Sequence, residues 1–448
     1  MTIRKAITTA LLIVFLLGMA LIGYGAVHTV DILVDEDDGN TSAGDLSLRE
    51  AIKIAATGDT IAFSVSGTIV LASQLEIDKD LTIVGPGAEP LTVSGNDTYN
   101  VFIIQTPSLT VAISDLTIAH GYSSTSGAGI YNAGTLTLTD CLVTENHGAW
   151  RGAGVANAGT MTMQHCTIRN NSAAAGDGSG GGLLNGGVAT LENCTVEGNT
   201  AATSGGGILN EAILTLINCT VSGNTASGIY GGGVANGDKG QATLESCTVS
   251  DNDADTGGGI YCDLSGTVNV KNTLIADNTA TTTGPDCSGN LESYGYNLIK
   301  NATGWTISGD ATGNLIGLDP KLGPLADNGG LTFTHALLSD SPAIDAIPPP
   351  YNNAPPTDQR GVARPQPAGG YCDIGAVEMA LAYANGDVNG DGVIDLLDVR
   401  LCLQIAQGYV TGTPQQRAAA DGDGDGDVDA DDVTILSEYV LGIRSTLP

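Results

Sequence analysis

Apolar and polar residues alternate in short runs through the middle of the chain, between residues 126 and 278. Leu136-Thr137-Leu138 and Leu214-Thr215-Leu216 are typical, because every second side chain is apolar, as in a β-strand with one buried face. Apolar stretches with the length and period of a helix are absent from this part of the sequence. The pattern therefore predicts many short strands.

The strands belong to a repeat of about 25 to 28 residues. Each copy has a glycine-rich start, an aliphatic strand ending in asparagine, an alternating strand, a Cys-Thr-Val-like strand and a second asparagine. The first asparagine falls at Asn132, Asn157, Asn185, Asn210 and Asn236, the cysteine at Cys141, Cys166, Cys194, Cys219 and Cys247, and the second asparagine at Asn146, Asn171, Asn199, Asn224, Asn252 and Asn278. We expect three short strands and three turns per copy, stacked at the ~4.8 Å inter-strand spacing. The predicted fold is an all-β, right-handed parallel β-helix.

The repeat also predicts which side chains lie inside. Cys194 and Val196 are expected to point inward and Thr195 outward into water, since alternate residues face opposite sides of a strand. We interpret the repeated cysteines as core, because thiols at one inward position of every copy behave as small hydrophobes rather than as catalytic or metal-binding groups. The asparagines suit left-handed corners, and stacked amides can hydrogen-bond to one another. Cys287 and Cys372 lie outside this ladder, and we hypothesise a disulfide between them.

The N-terminal end of such a β-helix needs a cover, because exposed strand edges promote aggregation. Ser47 and Glu50 have the spacing of a capping box, which predicts a short helix through about Ala56. The side chains expected to face the first turns are Leu48, Ile52 and Ile54.

Several motifs resemble those of bacterial surface β-helix proteins. Residues 47–52 resemble their N-terminal motif, and the repeats resemble those of polymorphic outer-membrane proteins. Four later motifs, at residues 327–330, 341–345, 358–361 and 372–376, are similar to a terminal region called choice-of-anchor Q. That name describes a position before varied anchoring modules and implies no chemistry. We therefore predict a cap with the first rungs at residues 27–100, β-helix repeats at 101–300 and a choice-of-anchor Q-like region at 301–380.

Residues 387–398 carry the most specific motif in the chain. Calcium takes six to eight oxygen ligands, and a twelve-residue loop supplies them from positions 1, 3, 5, 9 and 12 and from the backbone carbonyl of position 7, with glycine at position 6. The corresponding residues are Asp387, Asn389, Asp391, Asp395, Asp398 and, through its carbonyl, Val393. The pattern returns thirty-four residues later at Asp421, Asp423, Asp425, Asp429, Asp432 and, through its carbonyl, Asp427. Two loops in register predict two calcium ions.

The duplicated loop with its short exit helix resembles a type I dockerin module over residues 385–446, and the resemblance implies a cohesin domain as partner. Exit helices are expected at residues 399–407 and 433–441. Loop positions 10 and 11, which often carry Ser or Thr pairs in dockerins, hold Leu396-Leu397 and Ala430-Asp431 here. A cohesin of another type or an internal docking partner therefore stays open. The alternative to a calcium module is an acidic, solvated tail.

The charge of the chain limits the kinds of partner that it can bind. The 448 residues include 49 acidic and 16 basic ones, and the formal charge of −33 disfavours nucleic acid and anionic lipid as partners.

Arg4 and Lys5 precede an apolar run over residues 6–22, so residues 1–26 are predicted to be a secretory signal peptide. An uncleaved membrane anchor is the alternative. The mature chain is expected to lack a membrane span and to be secreted or held at the cell surface.

The sequence favours a non-catalytic β-helix. Lyase chemistry needs a base and cations near the substrate, whereas the Lys and Arg residues of the repeats are scattered, one per rung or fewer. No carboxylate pair suited to glycoside hydrolysis stands out, and no catalytic residue is assigned. We interpret residues 147–151 as a loop insertion and His165 as structural. The preferred function is an adhesive, surface or scaffold-associated body, with polysaccharide as a candidate ligand. The alternative is a dockerin-tethered polysaccharide lyase or glycoside hydrolase.

Overall fold

The computed structural model describes residues 25–87, 90–148, 150–174, 176, 178–366, 369–379, 385–389, 393–410, 412 and 414–447. Residues 1–24, nearly all of the predicted signal peptide, lie outside these ranges. Within the described ranges, no helix is both long enough and apolar enough to cross a membrane.

Parallel strands wind into a solenoid that carries three lateral sheets. Sheet 1 has 20 strands in two adjoining rows, and successive turns pair in register, as Leu136 with Met161. The first row comprises Val27–Val30, Asp59–Phe63, Leu81–Val84, Thr110–Ser114, Thr135–Thr139, Thr160–Gln164, Val188–Glu192, Ile213–Ile217, Gln241–Glu245, Thr267–Lys271, Cys287–Tyr294 and Trp305–Asp310. The second row comprises Leu75–Glu76, Phe102–Ile104, Ile130–Asn132, Val155–Asn157, Leu183–Asn185, Ile208–Asn210, Val234–Asn236 and Ile260–Cys262.

Sheets 2 and 3 complete each turn. The 11 strands of sheet 2 are Gly67–Val70, Leu91–Ser94, Thr117–Ala119, Leu142–Thr144, Thr167–Arg169, Thr195–Glu197, Thr220–Ser222, Thr248–Ser250, Leu274–Ala276, Leu298–Ile299 and Leu315–Ile316. The 7 strands of sheet 3 are Tyr122–Ser123, His147–Gly148, Ser172–Ala173, Thr200–Ala201, Thr225–Ala226, Asp253–Thr256 and Thr279–Thr283. The parallel β-solenoid is as predicted, but a repeat has four strands rather than three. The extra strand arises because the residues after the second asparagine also pair between turns, as Thr200 with Thr225.

Apolar columns fill the interior of the solenoid. Val196 and Cys194 are fully buried, and Cys194 Sγ donates to the backbone carbonyl of Glu192 at 3.2 Å. The repeated cysteines are therefore part of the core, as predicted. Burying apolar area of this kind contributes roughly 25 cal/mol per Å², so the stacked columns supply most of the driving force for the fold.

Two columns of buried asparagines accompany the apolar ones. Asn185 Nδ2 donates to Asn210 Oδ1 at 2.8 Å, and Asn171 Nδ2 donates to Asn199 Oδ1 at 2.9 Å, so the amides stack and bond as predicted. The expectation that these asparagines occupy left-handed corners is wrong. The left-handed residues directly precede the cysteines or the second asparagines, and include Asp140, His165, Asn193, Asn218, Ser246, Glu145, Asn170, Asp251 and Asp277. The corner residues aim the following side chain inward and are themselves mostly polar.

A seven-residue helix, α1 (Leu48–Ile54), covers the first turns. The predicted capping box is present, because the Ser47 side chain accepts from Glu50 N–H and the Glu50 side chain accepts from Ser47 N–H. The buried apolar side chains of α1 are Leu48, Ala51 and Ile52. Ile54 was expected to join them, but it is the last residue of α1 and is 43% exposed.

Residues 322–366 and 369–378, which we name the clasp, lie over the outer face of sheet 2. The clasp contains an antiparallel pair of strands, Leu322–Ala326 and Thr334–Leu337, and a 3₁₀ turn, Tyr351–Asn353. Thr195 Oγ1 donates to Phe333 O at 2.7 Å, and Thr220 Oγ1 donates to the Gln359 side chain at 2.6 Å. Thr195 is therefore fully buried, and the prediction that it faces water is wrong.

The clasp shares a small apolar core with outward-facing residues of sheet 2, such as Leu274 and Leu298, and contains a buried ion pair. Arg364 Nη1 lies 3.1 Å from Glu378 Oε2, and both side chains are almost inaccessible to solvent. Cys372 packs in this core, whereas Cys287 belongs to the core of the solenoid. All nine cysteines of the chain are free thiols, so the predicted disulfide between Cys287 and Cys372 is absent.

The C-terminal module contains helices α2 (Leu396–Ala406), α3 (Pro414–Ala420) and α4 (Ala430–Val440). Its core includes Val388, Cys402 and Leu436. Two of the helices match the predicted exit helices but begin three residues earlier, and α3 was not predicted. The earlier start follows from the aspartates at the two N-caps, which hold the first turn through capping boxes.

Candidate metal centre

The second acidic loop, residues 421–432, lies between α3 and α4. Asp421 sits at its start, where Oδ1 accepts from Gly424 N at 2.8 Å and Oδ2 accepts from Gly426 N at 3.0 Å. Gly424 and Gly426 have positive φ angles, 77° and 97°, so this tight winding depends on glycine. The loop is thereby curled around its own aspartates.

Carboxylate oxygens converge in two groups within this loop. The ligand atoms of Asp421, Asp423 and Asp425 lie within 4.8 Å of one another, and so do those of Asp427, Asp429 and Asp432. Partial desolvation, with repulsion from neighbouring aspartates, raises the pKa of Asp423 above its ordinary value, and repulsion from Asp425 is the main cause that raises the pKa of Asp427. The sequence assigned Asp427 a backbone carbonyl only, but its side chain also joins the cluster. An oxygen-only set of this charge suits a hard divalent cation such as calcium.

The aspartate at loop position 12 anchors each loop to its exit helix. Asp432 is buried; its Oδ1 accepts from Gly422 N at 2.7 Å and its Oδ2 accepts from Asp429 N at 2.8 Å. Asp398 in the first loop is equally buried, accepting from Asn389 N at 2.8 Å and from Asp395 N at 2.9 Å. The two loops therefore share one internal geometry.

The first loop is described in part. Asp387 is buried, and Asp395 caps α2 by accepting from Leu397 N. Residue Val393, expected to offer its carbonyl, has a side chain that is 59% exposed. Asp391, the predicted ligand at position 5, lies outside the described residues. In the described part of the loop, the backbone N–H groups of Asn389 and Asp395 therefore both meet the Asp398 carboxylate in the first turn of α2.

Close packing holds the backbone at Gly386, immediately before the first loop. Gly386 N donates to Ala419 O at 2.8 Å, and a Cβ on Gly386 would lie 2.3 Å from a Leu447 side-chain carbon and 2.9 Å from one of Leu436. The start of one loop is thus tied to α3, to α4 and to the end of the chain. The two loops share one hydrophobic core.

The leucines at positions 10 and 11 of the first loop lie at the exposed start of α2. Leu396 is 65% exposed and Leu397 is 53% exposed. Their counterparts in the second loop, Ala430 and Asp431, start α4 and are also exposed. One loop therefore offers an apolar pair and the other a partly acidic pair.

Two regions outside the C-terminal module differ from what the sequence predicts. Residues 147–151 were interpreted as a loop insertion, but His147 pairs with Ser172 within sheet 3, and Arg151 Nη1 contacts Glu211 Oε1 at 2.7 Å. A separate group of acidic side chains, not identified from the sequence, comprises Glu36, Asp38 and Asp45 near α1.

Comparisons with known proteins agree with this architecture. The dockerin type I domain family matches residues 385–441, and the right handed beta helix region family matches residues 88–230 and 151–318. The comparison with curated proteins gave no significant match.

Among solved structures, the chain is similar to the following three proteins. The first is pectate lyase Pel9A, with 13% identity, covering 80% of this chain and 97% of that chain at a TM-score of 0.46. The pectin methylesterase from Aspergillus niger has 11% identity and covers 65% and 85% of the two chains at a TM-score of 0.28. The PL6 family alginate lyase AlyGC has 12% identity and covers 81% and 60% at a TM-score of 0.26. Because the β-helix match spans residues 88–318, more than half of the chain, the protein belongs to the right-handed β-helix family and carries a dockerin type I domain at its C-terminal end.

Proposed function

We propose that this protein is a non-catalytic extracellular β-helix that docks to a cohesin-type partner through a calcium-dependent dockerin module. The observation that carries the proposal is the paired geometry of the two acidic loops, in which Asp398 and Asp432 fix the loop backbone in the same way. A solvated acidic tail has no reason to repeat buried carboxylate contacts of this kind.

Each loop would hold one calcium ion. Carboxylates that lie within 4.8 Å of one another repel, and a divalent cation between them reverses that repulsion into attraction. The proposed ligands are Asp387, Asn389, Asp391, Val393, Asp395 and Asp398 in the first loop, and Asp421, Asp423, Asp425, Asp427, Asp429 and Asp432 in the second. When bound, calcium would supply only charge and geometry, and the protein would supply the docking face.

The docking face would lie at the start of α2. Leu396 and Leu397 are exposed there, where a Ser or Thr pair would present hydroxyl groups. Burying two leucines against a partner contributes about 1.5 to 3 kcal/mol for each fully buried side chain. We therefore expect a cohesin with an apolar contact region rather than one that forms hydrogen bonds with Ser or Thr hydroxyl groups.

Export would place the protein where such a partner is found. The predicted signal segment at residues 1–26 directs secretion, and docking would then hold the protein at a cell surface or a scaffold. Polysaccharide is the candidate ligand of the solenoid. The alternative role, a tethered polysaccharide lyase or glycoside hydrolase, is tested by incubating the full chain with a panel of plant and algal polysaccharides and measuring product formation.

Capture by immobilised cohesins tests the docking proposal. A panel of cohesin types on a sensor surface should include at least one that binds the full chain in calcium and releases it in chelator. Leu397→Asp should weaken capture at least tenfold, because a charge would be buried in the contact. Leu264→Asp is the matched control, since Leu264 is 92% exposed on the solenoid, and should bind normally. Absence of capture across the panel, or capture that persists in chelator, would contradict the proposal.

A further inference from the structure

Two histidines and two carboxylates meet on the outer surface of the solenoid, at the corner between sheet 2 and sheet 3. Asp97, His120 and Glu145 each come shortly after a strand of sheet 2, in three successive turns. His147 begins a strand of sheet 3, two residues after Glu145. Because successive turns stack at ~4.8 Å, side chains from all three turns come within reach of one another.

Backbone hydrogen bonds between turns hold these residues in place. Asp97 N donates to His120 O at 2.7 Å, and His147 N donates to Gly121 O at 2.7 Å. Asp97, His120 and Glu145 have φ angles of 49°, 51° and 54°, so each is a left-handed corner residue. The four side chains are between 43% and 63% exposed. The backbone is therefore fixed, while the side chains remain open to an ion from solution.

The Asp97 carboxylate lies close to both imidazole rings. Its Oδ1 is 3.5 Å from His120 Nδ1 and 3.9 Å from His147 Nε2. Both separations exceed the usual range of an N–H···O hydrogen bond. Ligand atoms around one tetrahedral zinc ion, each bound at about 2.0 to 2.2 Å, lie about 3.4 Å apart. The separations are thus close to those of ligands to one ion, and the half-exposed side chains can rotate to complete the set.

Glu145 lies against the other nitrogen of the His120 ring. Its Oε2 is 3.2 Å from His120 Nε2, whereas His120 Nδ1 is directed toward Asp97. A histidine that binds metal through one ring nitrogen commonly donates the N–H of the other to a carboxylate, which fixes the tautomer and the ring direction. The arrangement therefore leaves Nδ1 for a metal ion and gives the Nε2 hydrogen to Glu145.

The two histidines depart from the repeat. In later turns the corner position of His120 holds Asn170 and Gly198, and the sheet 3 position of His147 holds Ser172. The stacking of the solenoid therefore does not by itself require a histidine at either position.

The donor atoms indicate which metal ion the corner would take. Two imidazole nitrogens with one carboxylate oxygen suit zinc, whereas calcium takes oxygen ligands. The formal charge of −33 attracts any cation to the surface, and the nitrogen atoms select among cations. Three protein ligands leave the fourth tetrahedral position to water.

We propose that Asp97, His120 and His147 bind one zinc ion and that Glu145 orients the His120 ring. The ion would join three successive turns on the outside of the solenoid. The site uses nitrogen ligands and lies far along the chain from the calcium loops. Asp425→Ala should therefore leave zinc uptake unchanged, so failure of the docking proposal is distinguishable from failure of this one.

Equilibrium dialysis of the full chain against zinc, with calcium in excess to fill the acidic loops, tests the proposal. His120→Gln and His147→Gln should each weaken the binding of one zinc ion at least about tenfold, and Glu145→Gln should weaken it about tenfold. The matched control is His165→Gln, because His165 pairs one imidazole with one carboxylate, its Nδ1 lying 3.3 Å from Asp140 Oδ1. This control should bind zinc like the parent.

Asp97→Asn keeps the test decisive if a histidine change disturbs the corner, because it preserves shape and replaces a charged ligand oxygen with an amide. It should also weaken zinc binding at least about tenfold. The proposal is overturned if the parent retains no more zinc than the two histidine variants. It is equally overturned if Asp97→Asn, with an unchanged melting temperature, binds zinc as tightly as the parent.

Discussion

Thr195 faces away from the solenoid interior and is nevertheless fully buried. Its hydroxyl donates to Phe333 O at 2.7 Å and accepts from Gln359 Nε2 at 2.9 Å. The alternating pattern correctly gives the direction in which Thr195 points. It cannot indicate what lies outside, because the covering carbonyl comes from a residue 138 positions later in the chain.

Thr195→Ala should therefore destabilise the protein, although an outward threonine on an exposed strand would tolerate the change. The substitution removes a donor to Phe333 O and an acceptor for Gln359, and leaving buried groups unpaired costs about 1 to 3 kcal/mol. Thr190→Ala, on the half-exposed outer face of sheet 1 in the same turn, is the control. Denaturant unfolding should separate the two variants by at least about 1 kcal/mol. Equal stability would mean that the clasp does not cover this position.

Among the structural elements, the sequence predicts the strands that recur in every repeat. It does not predict very short strands or elements held by contacts between residues far apart in sequence. The strands of sheets 1 and 2 have alternating apolar residues and were predicted. Sheet 3 has two-residue strands, such as Ser172–Ala173, that are too short to carry a pattern. The clasp packs on sheet 2 through an apolar cluster that joins its Ile347 and Ile374 to Leu274 and Leu298, and through hydrogen bonds between residues far apart in sequence. No repeat marks these contacts in the sequence of the clasp, so only the folded chain reveals them.

The clasp should also lose stability as the pH rises. Burial raises the pKa of Asp373 from its ordinary value of 3.8 to about 7, and the nearby Glu378 acts in the same direction. A carboxyl group that is harder to ionise in the folded state contributes stability in full below pH about 4, and that contribution is lost as the pH rises to about 7. The melting temperature should therefore fall from pH 4.5 to pH 7.5, and Asp373→Asn should reduce that fall.

The control for this pH effect is Asp340→Asn, which changes an exposed aspartate of the same clasp. It should show the same fall in melting temperature as the parent. If Asp373→Asn and the parent lose stability equally over this pH range, the buried carboxyl group is not the cause, and the charge of the whole surface would account for the trend.

In the whole molecule there are three hydrophobic cores among the described residues: one inside the solenoid, one between the clasp and sheet 2, and one in the C-terminal module. The first follows from the repeat and the third from the calcium-loop motif, so both fold classes were predictable from sequence. The module is small, and its helices of 11 residues or fewer are marginal alone in water. We therefore expect the module to depend on its ions, while the solenoid, held by stacked columns, does not.

Calcium titration of the full chain by calorimetry tests whether the C-terminal module binds two calcium ions. The parent should take up two ions, because each loop closes around one. Asp425→Ala, in the second loop, should take up one, and Asp431→Ala should still take up two, since Asp431 is exposed on α4 and is not a proposed ligand. Absence of saturable binding in the parent, or two ions bound by Asp425→Ala, would contradict the account of a calcium-dependent docking module.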